Sequence, residues 1–158
     1  VGIGRETVAS TRNKPSRLEL EGTETAMMQD RDRAAIILKQ LADMGISVAV
    51  DDFGTGYSNL SYLIDFSFGK LKIDRSFVSR IDTDSNSGAV VSTIVGLSRA
   101  LGVGIIAEGV ETENQATLLR AAGCEVVQGY LFGRPAPLKI ELGEARFEKR
   151  EARIVSIH

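Results

Sequence analysis

The sequence predicts an α/β protein of the (β/α)-barrel kind. Three observations predict it: an order of amphipathic segment, glycine and apolar run that recurs three times, polar residues closing the apolar runs, and intervals between runs that suit parallel βα units. Residues 18–20 read as a short strand ending before Glu21. Ala34, Ile37, Leu38, Leu41 and Met44 recur at helical spacing and stop at Gly45; the run 46–50 then closes on Asp51 and Asp52. Residues 71–73 form a further strand that carries Lys72 inside it. The first pattern returns with Val90, Val91, Ile94, Val95 and Leu101 before Gly102, and with the run 103–107 before Glu108. It returns again with Leu118, Leu119 and Ala122 before Gly123, and with a short run before Gln128; Thr112 and Gln115 form a capping box that fixes this helix start. A closed barrel gathers the C-terminal ends of all its strands at one mouth, whereas an open doubly wound sheet binds ligands mainly at a switch point. Polar positions at four predicted strand ends, filled by Glu21, Asp51, Asp52, Glu108 and Gln128, therefore favour the barrel.

Composition excludes several functions. The 158 residues are 43% apolar with a net charge of -2, as in an ordinary soluble globular chain. Lys and Arg are spread along the chain, so no basic footprint for duplex nucleic acid or an anionic membrane is present. No apolar run reaches the roughly 18 residues that span a bilayer, and the N-terminus lacks a signal-peptide pattern. The single cysteine, Cys124, precludes an internal disulfide and agrees with a reducing, cytoplasmic compartment. No histidine is placed to activate it, and the lone His158 is read as tail. The chain begins at Val1, which predicts a piece of a longer protein.

Two short patterns carry little. Asp52-Phe53-Gly54 matches a kinase triplet without any kinase catalytic loop. The glycines at 2, 4, 54 and 56 do not complete a dinucleotide fingerprint; Gly54 and Gly56 instead predict a tight turn after the paired aspartates. Several carboxylates, an amide and a lysine, without histidine, suit a hard divalent cation, Mg²⁺ or Mn²⁺. Two such cations would relieve the repulsion between Asp51 and Asp52, activate water and clamp a leaving oxygen. Chemistry alone thus points to a metal-dependent phosphoryl or enolate enzyme, with Lys72 orienting water or neutralising phosphate.

The segments LELEGTET (18–25), DDFGTGYSNLSYL (51–63), LKIDRSFV (71–78), AEGVET (107–112) and VVQGYLFGRPAP (126–137) resemble, in this order, the EAL family of bacterial cyclic di-GMP phosphodiesterases. The resemblance covers about residues 17–140. It implies hydrolysis of cyclic di-GMP to linear pGpG with Mg²⁺ or Mn²⁺, in a (β/α)8 TIM-barrel-like fold that is often dimeric. By this resemblance Glu21, Asp51 and Asp52 are metal ligands, Lys72 stands near the catalytic water, and Glu108 belongs to the metal and general-base region. Glu111 and Gln128 are further positions of the catalytic and substrate-binding site. Glu24, with Gly54 and Gly56, steadies the loop 53–60, which resembles one that contributes to dimerisation and couples it to metal binding.

The departures from the family matter too. The name-giving Glu-Ala-Leu segment and an Asn of the following strand are absent, and both normally supply metal ligands. About two N-terminal βα units are therefore expected to lie upstream of Val1, so 1–158 is read as a single partial domain with a tail at 141–158. Gly22 stands where the family has a branched apolar residue and should weaken its strand; Asn59 replaces the usual Ser. Three readings follow: a phosphodiesterase portion that is weak or inactive alone, a non-catalytic cyclic di-GMP receptor, or an oligomeric interaction module. The expected setting is the cytosolic part of a larger, membrane-anchored sensor.

Overall fold

The computed structural model describes residues 14–56, 63–135 and 155–156. It divides into two compact units, one comprising the residues through Lys72 together with Leu97–Gly104, the other Ile73–Gly96 together with the residues from Ile105 onward.

In the first unit a single 3-10 turn, Pro15–Arg17, leads into strand β1 (Glu19–Thr23). β1 runs parallel to β2 (Ser47–Phe53), with Glu21 opposite Ala49 and Thr23 opposite Asp51. Strand β3 (Lys70–Ile73) lies beyond β2, and the Gly69 amide donates to the Val48 carbonyl at 2.8 Å. Parallel strands need a long crossover; here it contains helices α1 (Glu24–Gln29) and α2 (Arg31–Asp43), the second lying against β2. Each starts on a side-chain cap: Thr23 accepts from the Ala26 amide and Asp30 from the Arg33 amide. Val48, Ala49, Val50, Leu71 and Leu38 are buried.

In the second unit come helix α3 (Arg75–Val78), helix α4 (Ser85–Leu101), whose residues from Leu97 on fall in the first unit, and strand β4 (Gly104–Glu108). Helix α5 (Glu113–Ala122) and strand β5 (Val126–Gln128) follow, β5 parallel to β4 with Glu108 opposite Gln128. The predicted capping box of Thr112 and Gln115 is present, and Gly123 closes α5 in the left-handed region (φ 90°), its amide donating to Arg120 and Leu119. Val91, Ile94, Ile106, Ala107, Ala116, Leu119 and Val127 form the apolar interior.

Three differences from the sequence reading have local causes. Strand β1 begins at Glu19 and runs to Thr23, so Glu21 lies mid-strand rather than beyond its end: pairing with β2 carries the ladder through Gly22, which sits beneath the Met27 methyl. Helices α1 and α3 are too short for a 3.6-residue period to show, and their caps are the only sequence signal. Val155–Ser156 form a strand, β6, antiparallel to β5, where only a tail was read. The second half of the predicted dimerisation loop, residues 57–60, lies outside the described residues.

Candidate active site

Alternation along a strand sends every second side chain to the same face, and parallel partners share it. Glu19 and Glu21 of β1 therefore share a face with Ala49 and Asp51 of β2. Lys70 and Lys72 of β3 answer them: Lys70 pairs with Glu19, and two residues further on Lys72 pairs with Glu21. The result is a ladder of ion pairs with the two-residue period of the strands.

Its upper rung is unusual. Lys72 is only 4% exposed, and lysine is almost never buried without a partner. Its Nζ stands 2.8 Å from Glu21 Oε1 and 3.3 Å from Asp51 Oδ1. Two carboxylates thus face one buried ammonium. Asp52 adds a third carboxylate at the adjoining position and is the one described non-glycine residue with positive φ (54°). That region is uncommon for a residue carrying a Cβ, and such outliers cluster at functional sites. Local bonds hold it: the Asp52 amide donates to Asp51 Oδ1 at 3.0 Å, and the Asp52 carbonyl accepts from the Thr55 hydroxyl at 2.9 Å.

The turn that follows is fastened from below. Glu24, buried at the start of α1, accepts a hydrogen bond from the Gly54 amide on Oε2 at 3.3 Å. Gly54 has φ 95°, so its position requires glycine. Gly56 does not share that requirement, contrary to the sequence reading: its φ is ordinary, and an added Cβ would touch the Glu24 carboxyl at 3.7 Å, normal van der Waals contact.

The second unit holds the remaining predicted residues around one turn. Glu108 ends β4 opposite Gln128, the last residue of β5. The Val110 amide donates to the Gln128 carbonyl at 3.1 Å, and the Leu131 amide to the Val110 carbonyl at 3.0 Å. Gly129 makes this approach possible, because a Cβ there would lie 2.1 Å from the Val110 carbonyl oxygen. The Glu111 and Thr112 amides both donate to Gln115 Oε1, at 2.8 and 3.1 Å, so the cap glutamine also anchors this turn. Glu111 itself accepts from Arg75 at 2.7 Å. Neither Arg75 nor the second role of Gln115 was foreseen from sequence. The only pointers were the adjacency of Arg75 to "LKID" and the capping pattern. Cys124 is fully buried, its Sγ donates to the Val126 carbonyl, and burial pushes the thiol up to about 11, the direction opposite to that of an activated cysteine.

Within the first unit the structure brings together Glu21, Asp51 and Lys72, with Asp52, Gly54 and Glu24 adjoining; within the second, Glu108 and Gln128 lie opposite each other and Glu111 lies on the turn that follows. Among the described residues no three His, Cys, Asp or Glu side chains form a group that could hold a metal ion. The all-oxygen donors Glu21 and Asp51, converging on one cationic centre, nonetheless match by chemistry what a hard divalent ion binds. No helix among the described residues is long and apolar enough to cross a membrane.

Residues 5–135 match the family model described as "EAL domain". The bifunctional diguanylate cyclase/cyclic di-GMP phosphodiesterase MucR of Pseudomonas aeruginosa is 50% identical over 124 residues, which are 78% of this chain and 18% of MucR. The cyclic di-GMP phosphodiesterase RocR of the same organism is 43% identical over 123 residues, 78% of this chain and 31% of RocR. The solved complex of the PaMucR phosphodiesterase with c-di-GMP superposes with a TM-score of 0.81 at 47% identity, covering 84% of this chain and 54% of that one. A manganese/cy-diGMP complex of Klebsiella pneumoniae BlrP1 gives a TM-score of 0.79 at 35% identity, covering 85% and 34%. This chain therefore spans about a fifth to a third of the length of these curated relatives. Its fold is a portion of the barrel-like α/β domain that the solved relatives carry.

Proposed function

Because the chain belongs to the EAL domain family, we propose that it is part of a phosphodiesterase that opens cyclic di-GMP to linear pGpG, and that it is weak or inactive without the rest of its domain. On this reading 1–158 is one partial EAL domain. In the reaction a P–O bond to water forms, one P–O bond to ribose breaks, and the proton lost by water ends on the freed hydroxyl. The single observation that carries the reading is Lys72, buried and held between Glu21 and Asp51.

Glu21, Asp51 and Asp52 would hold Mg²⁺ or Mn²⁺, joined by Glu108; such ions, when bound, supply Lewis acidity toward water and the phosphoryl oxygens. The chain's own residues do the rest. Lys72 presents a fixed positive charge, which orients the attacking water and offsets charge developing on phosphate. Its two carboxylate partners keep that ammonium in one place. Glu108 takes the proton from water, while Gln128 and Glu111 contact the nucleotide. Glu24, through the Gly54 amide, steadies the start of the loop after the paired aspartates, and through that loop two copies associate as a homodimer on the cytosolic side of a larger sensor.

The test incubates cyclic di-GMP with Mn²⁺ or Mg²⁺ and either this chain or the full-length protein that carries it. Formation of pGpG by the full-length protein is expected, with little or none from the chain alone. Binding without turnover in both would replace the enzyme with a receptor; absence of both nucleotide and metal binding would leave an interaction module.

A further inference from the structure

The turn after β4 is pinned on three sides, and one of the pins belongs to no function yet described. Two are backbone and amide contacts: the end of β5 and the turn after it, through Gln128 and Leu131, and α5 through Gln115. The third is Arg75. A Cβ on Gly109 would lie 2.3 Å from Arg75 Cγ and 2.8 Å from its Cβ and Cδ, so the arginine stem rests directly on the Gly109 backbone. Gly109 also has φ 72°, a conformation that disfavours any other residue. Beyond the stem, the guanidinium reaches Glu111 at 2.7 Å, 36 residues along the chain. Arg75 thus grips the turn twice, at the residue after Glu108 and again two residues later.

Global stability does not explain this arrangement. The Arg75 and Glu111 side chains are 61% and 44% exposed, and exposed pairs contribute only about 0–1 kcal/mol. What the contacts do is restrict the path of residues 109–111, which follow directly on Glu108 at the end of β4.

We propose that Arg75 is a positioning residue: its stem on Gly109 and its ion pair with Glu111 hold the turn that aims Glu108. The link to catalysis rests on the phosphodiesterase reading, while the clamp itself does not.

The experiment therefore reads both. Amide hydrogen exchange in this chain is compared among wild type, Arg75→Ala, Arg75→Lys and Glu111→Gln. Arg75→Ala should speed exchange at Val110, Glu111 and Thr112 by about threefold to tenfold, with little change in β5 or α4. Arg75→Lys, which keeps a stem and a charge, should recover most of the protection, and Glu111→Gln should reproduce part of the loss. Exchange unchanged at 110–112, or raised evenly across the chain, overturns the clamp. In the full-length protein Arg75→Ala should lower kcat by a larger factor than it raises KM, the KM change reflecting the loss of the Glu111 partner; an unaffected kcat beside faster exchange overturns the link to Glu108. If the wild-type full-length protein makes no pGpG, the phosphodiesterase reading fails, and exchange alone still decides the clamp.

Discussion

The two groups of polar residues are built by opposite means. In the first unit side chains hold side chains: Lys72 is fixed by Glu21 and Asp51, each on its own strand, and the strand register brings the three together. In the second unit backbone holds backbone: Val110 is threaded between Gln128 and Leu131, and Gly129 is there because nothing larger fits. A charge cluster is sensitive to any change of charge and tolerant of modest changes of shape. A close backbone crossing has the reverse sensitivity. The difference teaches where each region can be varied without losing its geometry.

Substitutions can sharpen or break that contrast. The largest effect on stability is expected for Gly129→Ala, whose methyl must displace the Val110 backbone. A loss of about 3 kcal/mol or more is expected by thermal or denaturant unfolding, as for other forced overpacking. A melting temperature near that of wild type would mean that the crossing is not close in solution. Next comes Lys72→Met, which keeps the stem and removes the charge. It leaves Glu21 and Asp51 facing each other without their ammonium and should cost about 1–3 kcal/mol, between the values for exposed and for buried pairs because Glu21 is half exposed. In the full-length enzyme the same change should depress kcat more than nucleotide affinity; a loss confined to affinity would remove Lys72 from the chemical step. The smallest effect belongs to Thr112→Ala, which deletes the side-chain cap of α5, for about 1 kcal/mol by chemical denaturation. No measurable change there would show that the Thr112 hydroxyl does not hold the start of α5.

The same contrast governs what could be read from the sequence. Asp51, Asp52, Lys72, Glu108 and Gln128 were legible because polar residues interrupt or close apolar runs, and a strand has a strict period of two. Helix ends at Gly45, Gly102 and Gly123 were legible too, since all three carry positive φ. Arg75 was not, because its meaning depends on Gly109 and Glu111, more than 30 residues away. Gly129 was not legible either, because its requirement comes from Val110, which approaches it from another part of the chain. Glu21 was read as following its strand, whereas the ladder with β2 runs two residues further, to Thr23. Gly56 was credited with a constraint that only Gly54 has.

The central claim is that Glu21, Asp51 and Lys72 form a working part of a cyclic di-GMP hydrolase. Its most direct test is the rate of pGpG formation by the full-length protein with Mn²⁺, wild type against Asp51→Asn. Removing one negative oxygen donor should lower the rate by at least about 100-fold while the fold, followed by circular dichroism, stays intact. An Asp51→Asn enzyme that turns over as fast as wild type would contradict the account.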